Sequence, residues 1–136
     1  MKKRHKPPLL VVDDDDDICD SLRWLLQEEG YEVLWTGDGA SALNILRSTD
    51  HRFVVLLDYL MPEIGGDEVL ETVAADPHLS SRHAFILMTA TARTLPPKIR
   101  RLLESLTIPV LNKPFDIADV IDMVDRAAQF VHRARA

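Results

Sequence analysis

Cysteine is nearly absent: Cys19 is the single one, which excludes an internal disulfide framework and any cysteine-rich zinc site and fits a reducing compartment. Long hydrophobic runs are missing too. The longest apolar stretches, Phe53 to Leu57 and Ala84 to Met88, fall far short of the roughly 18 residues of a membrane span, so no membrane association is expected. The N-terminus, Met1-Lys-Lys-Arg-His-Lys, is basic like a signal peptide. Before the run of aspartates it is followed by nothing longer than Leu9 to Val12, too little for a secretory segment, so a cytoplasmic location is expected. No G-x-x-x-x-G-K-[ST] loop is present, and Gly37-Asp38-Gly39 is too weak for a dinucleotide fingerprint. Positive charge is in deficit, 16 basic against 22 acidic residues for a net charge of −6, which argues against a nucleic-acid footprint. The histidines at 5, 51, 78, 83 and 132 have no zinc-type grouping, and His78 and His83 are expected to be solvated where they flank a loop.

What is present suits one compact domain: 136 residues, 46% hydrophobic and 28% charged. Short apolar runs alternate with segments of helical period, the pattern of βαβ units around a parallel sheet. The expected strands are Leu9 to Val12, Glu32 to Trp35, Arg52 to Leu57, Ala84 to Met88 and Pro109 to Leu111. Between them, Ile18, Leu22, Leu25 and Leu26 form one helical stripe, and Gly30 closes that helix. Further stripes are Ala42, Leu43 and Leu46; then Val69, Leu70 and Val73, ending near Asp76-Pro77; then Ile99, Leu102, Leu103 and Leu106, with Pro96 and Pro97 in the first turn. The last and most regular comprises Ile117, Val120, Ile121, Val124, Ala128 and Val131. Right-handed crossovers place these helices on both faces, a doubly wound α/β fold. A basic N-terminal tail, 1–8, and a C-terminal tail, 132–136, flank the domain at 9–131; Lys2 to Lys6 and Arg133 to Arg135 are expected to be solvated.

In such a sheet the functional crevice lies beyond the carboxyl ends of the strands. Those ends carry Asp13 and Asp14, Asp58, Thr89 and Lys113. Carboxylates gathered there repel one another unless a cation neutralises them, and hard oxygen ligands suit Mg²⁺. Lysine and threonine add a charge and a hydroxyl for anionic oxygens, which points to metal-assisted phosphoryl chemistry. Asp16 and Asp17 are expected to cap and charge the start of the first helix. An EF-hand loop from Asp13 fails, because it needs glycine where Ile18 stands and glutamate where Trp24 stands.

Four segments in order, Leu9-Leu-Val-Val-Asp13-Asp14, Leu56-Leu-Asp58-Tyr-Leu-Met-Pro62 with Gly65-Gly66, Leu87-Met-Thr89-Ala90 and Asn112-Lys113-Pro-Phe115, resemble the receiver domain of two-component response regulators. The resemblance runs from about Leu9 to Val131 and implies a flavodoxin-like, five-stranded sheet of order 2-1-3-4-5. It further implies Asp58 as phosphoacceptor and, for Mg²⁺, Asp14 as a direct ligand, Asp13 through water, Asp58 itself and the Leu60 carbonyl. By the same resemblance Thr89 and the Ala90 amide engage the phosphoryl oxygens, Lys113 pairs with the phosphate, and Lys113-Pro114 is cis. The implied donor is a phosphohistidine on a sensor histidine kinase or histidine phosphotransfer protein, and the protein is a phosphoacceptor, not a turnover enzyme.

The implied output face is the fourth expected helix, the last strand and the last helix, carrying Lys98, Arg100, Arg101, Glu104, Asp119 and Asp122. It would serve a downstream protein target or a homodimer, without direct contact to nucleic acid. Thr89, Ala90 and position 110 are the implied switch. Here Val110 replaces the aromatic the family commonly carries, and Leu106-Thr-Ile-Pro109 replaces its usual Gly-Ala. Leu60 and Thr91 occupy the positions flanking the path of hydrolytic water, from which slow loss of the phosphoryl group is expected. No DNA-binding helix pair, cyclase or methylesterase segment follows Val131, so a single-domain regulator or relay shuttle is expected. The alternatives are a degenerate receiver acting only as an interaction module, and a small phosphatase of the haloacid dehalogenase type, which leaves Asp58-Tyr-Leu-Met-Pro62 unexplained.

Overall fold

The structure, a computed structural model describing residues 6–135, turns the apolar runs into β1 (Leu9–Val12), β2 (Val33–Thr36), β3 (Val54–Asp58), β4 (Ala84–Thr89) and β5 (Val110–Asn112). They form one parallel sheet of order β2-β1-β3-β4-β5. The helices are α1 (Asp16–Glu28), α2 (Gly39–Ser48), α3 (Gly66–Ala75), α4 (Pro77–Arg82), α5 (Pro97–Leu106) and α6 (Ile117–Arg135), with a short 3₁₀ turn at Ala92–Thr94. The expected doubly wound sheet and its strand order are thus the observed ones. None of the helices described is long and apolar enough to cross a membrane.

Strand alternation divides the core. Leu10, Val12, Val55, Leu57 and Leu87 face one side and pack with Ala42, Leu46, Val69, Leu70, Ile99 and Leu103 of α2, α3 and α5. Leu9, Val11, Val54, Leu56, Ile86 and Met88 face the other and pack with Leu22, Leu26, Val120 and Val124 of α1 and α6. Because both faces are covered, the central strands are apolar without interruption. β1 sits in register with β3, Leu10 opposite Val55 and Val12 opposite Leu57, so their carboxyl ends finish side by side.

Local chemistry sets the helix ends. The side chain of Asp15 caps α1 by accepting from the amides of Asp17 (3.0 Å) and Ile18 (3.2 Å), while Asp16 and Asp17 lie in the first turn and complement the helix dipole. The cap itself therefore falls one residue before the pair expected to provide it. Gly30 follows α1 at φ +91°, the left-handed conformation expected of it.

The region after α3 differs from expectation. Where the sequence suggests a loop beyond Asp76-Pro77, a further short helix forms, its start capped by Asp76, which accepts from the His78 amide at 3.0 Å, with Pro77 at its first position. Six residues are too few to display a helical period. His83, expected to be solvated, is buried at 3% exposure. Its Nδ1 accepts the Phe53 amide proton at 3.0 Å, which puts the ring proton on Nε2, directed at the Leu46 carbonyl at 3.2 Å. A neutral imidazole thus bonds one backbone group just before β3 and one in the last turn of α2.

Three smaller corrections concern the ends. Ile117 is exposed, so the buried stripe of α6 begins at Val120. The helix continues to Arg135 instead of giving way to a tail at 132. Lys6 is not merely solvated, since its ammonium donates to the Glu29 carbonyl and lies 4.6 Å from the centroid of the Tyr31 ring. The expectations for Lys2 to His5, for Ala136 and for the side chains of Arg133 and Arg135 lie outside the described residues. Lys113-Pro114 is cis, as the resemblance implies.

Burial pushes the His83 imidazole down to about 4, although its bond to Leu46 favours the charged form. The unfolded chain, with an ordinary histidine near 6.5, therefore takes up the proton first as pH falls. Stability held above pH 6.5 is lost progressively toward pH 4, by up to about 3 kcal/mol. Urea unfolding at pH 7 and pH 4.5 should show a larger loss for the wild type than for His83→Gln, in which this proton uptake is removed and other groups cancel. Equal losses would assign the acid sensitivity elsewhere.

Candidate functional site

The strand ends expected to carry chemistry do converge. β1 runs directly into Asp13 and Asp14, β3 ends on Asp58, β4 on Thr89, and β5 leads to Lys113. One carboxylate oxygen from each of Asp13, Asp14 and Asp58 lies within 4.8 Å of the others; Asp13 and Asp58 are buried and Asp14 is exposed. Lys113 reaches across from β5, its ammonium 2.7 Å from Oδ2 of Asp13 and 3.1 Å from Oδ1 of Asp58. The other oxygen of Asp13 accepts the amide of Asp15 at 2.9 Å, so this carboxylate is held from both sides.

Electrostatics within the cluster are unbalanced. Burial, with the neighbouring charges of Asp13 and Asp14, pushes the Asp58 carboxyl up to about 6 against the opposing pull of Lys113. For Lys113 burial acts to depress the ammonium, but its bonds to Asp13 and Asp58 outweigh this and hold it above its ordinary value. Three carboxylates against one ammonium leave net negative charge in a half-enclosed crevice. Such all-oxygen donors are of the hard kind that binds divalent cations like Mg²⁺.

Backbone packing sets the crevice wall. A Cβ on Gly66 would lie 2.5 Å from the Asp58 carbonyl oxygen and 2.7 Å from Cα of Tyr59, and the Gly66 amide donates to the Tyr59 carbonyl at 2.9 Å. Glycine is therefore required where α3 begins, close against the end of β3. Gly65-Gly66 belongs to the motif by which the sequence is recognised, yet only the packing shows what Gly66 does.

The remaining expected residues are placed as follows. Thr89 is buried, but its hydroxyl meets the Thr91 hydroxyl at 3.0 Å and accepts the Thr91 amide at 3.0 Å instead of bonding a carboxylate. Ala90 follows in an exposed bend. Leu60 is 65% exposed, two residues beyond Asp58. Val110 opens β5, opposite Leu87, and packs against the core on the α5 side, away from the carboxylates.

A family model described as the response regulator receiver domain matches residues 9–125. The chain belongs to this family. Two-component response regulator ORR7 of Oryza sativa subsp. japonica is 30% identical over 105 residues, which cover 77% of this chain and 49% of that protein. ORR3 of Oryza sativa subsp. indica is 28% identical over 102 residues, 75% of this chain and 76% of that one. The chain thus spans about half the length of one of these curated relatives and about three quarters of the other. Among solved structures, a CheY-like receiver domain protein from Methanospirillum hungatei JF-1 superposes with a TM-score of 0.78 at 26% identity, covering 96% of this chain and 98% of that one. The response regulator StyR gives 0.81 at 26% identity, covering 96% of this chain and 63% of that one. This is a receiver domain of two-component signalling.

The crowding of charge in this receiver has a measurable consequence without any ligand. With chelator present at pH 7, Asp58→Asn should be more stable than wild type by about 2 kcal/mol, because it removes a carboxylate ionised at a cost to the fold. As pH falls through about 6 the folded wild type takes up its proton before the unfolded chain, whose carboxyl titrates near 3.8, so the gap should close toward pH 4. Denaturant melts across that range would contradict this picture if wild type were the more stable protein at pH 7.

Proposed function

We propose that this receiver accepts a phosphoryl group on Asp58 and passes the event to a protein-interaction surface. The observation that carries the reading is the position of Asp58, buried at the end of a central strand, with the Lys113 ammonium at 3.1 Å and two further carboxylates beside it. Asp13, Asp14, Asp58 and the backbone carbonyl of Leu60 would hold Mg²⁺. That ion supplies charge neutralisation, which lowers the repulsion between a carboxylate and an incoming phosphoryl group.

The chain's own residues account for the rest. An Asp58 oxygen attacks phosphorus, the bond from phosphorus to the donor nitrogen breaks, and the donor histidine departs with its electron pair. Lys113, already oriented by Asp13, meets the negative charge that develops on the transferring oxygens. Asp13 positions this ammonium and stays in place through its bond to the Asp15 amide. The product carries about −1.5 to −2 of charge where the ionised carboxylate carried −1, and it brings three acceptor oxygens to the crevice, to which Thr89 and the Ala90 amide can turn. The phosphoryl group stays on the protein, so the reaction is stoichiometric and not a turnover. The donor is a phosphohistidine on a sensor histidine kinase or histidine phosphotransfer protein, and the downstream partner or second copy docks on α5, β5 and α6.

Incubation with acetyl phosphate and Mg²⁺ should add one acid-stable, base-labile phosphoryl group, read by intact mass. Asp58→Asn should take up none, and labelling that persisted in that variant would remove Asp58 from the role. An unlabelled wild type would instead favour a module acting through protein contacts alone.

The lifetime of the label follows from Leu60. Its side chain, two residues beyond Asp58, is apolar and 65% exposed, unable to orient a water by hydrogen bonding and bulky enough to obstruct an in-line approach from its side. Self-hydrolysis should be slow, and Leu60→Asn should speed the decay by up to about tenfold, the size of one ordinary hydrogen bond to the attacking water. Decay as slow as wild type, with Mg²⁺ binding intact by titration, would show that position 60 does not govern water.

A further inference from the structure

The threonine that ends β4 and the one two residues beyond it make hydrogen bonds that oppose the step just described. Thr89 is 2% exposed, so its hydroxyl proton must find an acceptor inside the protein. One acceptor site of that oxygen is already taken by the Thr91 amide at 3.0 Å, and Oγ1 of Thr91 lies 3.0 Å away. Thr91 is exposed and has water as an alternative partner. The assignment that satisfies both groups has Thr89 donating to Thr91.

Thr91 is itself fastened. Its carbonyl accepts from both the amide and the hydroxyl of Thr94, at 3.0 and 3.1 Å. From the first turns of α5, Arg100 then holds the carbonyls of Arg93 (2.5 Å) and Leu95 (3.1 Å). A cation so near a helix N-terminus opposes the helix dipole, and these two carbonyls provide its compensation. Thr91 therefore cannot simply travel with Thr89 toward the crevice; the hydroxyl pair has to part.

We propose that Thr91 is a positioning residue that acts through Thr89: its side-chain oxygen holds the Thr89 proton in the unphosphorylated protein and competes for it with the phosphoryl oxygens on Asp58. This rests on the reading of Asp58 as phosphoacceptor and deepens it. The Thr91 hydroxyl weakens capture of the phosphoryl group, and removing it while keeping the branched shape releases Thr89 to donate.

The test uses the full chain with Mg²⁺ and beryllium fluoride, an unhydrolysed phosphoryl mimic, so that any effect of Thr91 on water attack does not enter. By calorimetric titration Thr91→Val should bind the mimic about fivefold tighter than wild type, the size of one ordinary hydrogen bond. Thr91→Ser, which keeps the hydroxyl, should match wild type. In a Thr89→Ala background Thr91→Val should change nothing, since the effect passes through Thr89. Unchanged or weaker binding in Thr91→Val, or an equal gain without Thr89, overturns the proposal. A wild type that neither binds the mimic nor takes up label overturns the phosphoacceptor reading beneath it, a result distinguishable from failure of the threonine pair alone.

Discussion

Lys113 lies within bonding distance of Asp13 and of Asp58, and the functional end of the molecule is organised around that ammonium. Parallel strands all finish at the same edge of the sheet, so placing an aspartate at the ends of β1 and β3 brings like charges together by construction. A single half-buried lysine partly offsets them. The remaining imbalance appears in Asp58, whose carboxyl burial and its acidic neighbours push up to about 6. A site held in this state favours whatever brings positive charge to it.

The contacts that lead away from the crevice are equally physical. Val110 is half-buried against the core at the start of β5 and has neither ring nor hydroxyl to swing. The hydrogen bonds lie instead along the segment from Thr89 to Arg100, through Thr91, Thr94 and the carbonyls of Arg93 and Leu95. This chain of contacts joins the end of β4 to α5 without passing through an aromatic. It connects the site to the face expected to meet partners.

Much of this architecture could be inferred before any coordinates. Unbroken apolar runs such as Phe53 to Leu57 mark strands covered on both faces, and helical stripes such as Leu22 and Leu26 mark what covers them. Failures cluster where the local signal is short or two-sided. α4 spans six residues, too few for a period, and its capping Asp76 also ends α3. Ile117 continues an apolar spacing but stands at the first position of α6, before that helix has reached the sheet. His83 is polar by type, and nothing nearby in sequence announces that the Phe53 amide and Leu46 carbonyl, 30 and 37 residues away, will need its ring.

The sequence by itself determined which residue types stand at each strand end, because strand period and helix caps are settled by neighbours a few positions apart. It therefore determined the sheet, its helical cover and the set Asp13, Asp14, Asp58, Thr89 and Lys113. Only the tertiary structure decided how those groups use one another. Lys113 meets Asp13 across 100 residues of chain, Thr89 spends its hydroxyl on Thr91, and Gly66 presses against the carbonyl of Asp58. Such contacts turn on differences of a few tenths of an ångström in how strands register and loops close. Those distances are set by packing of the whole core, and no local stretch of sequence encodes them.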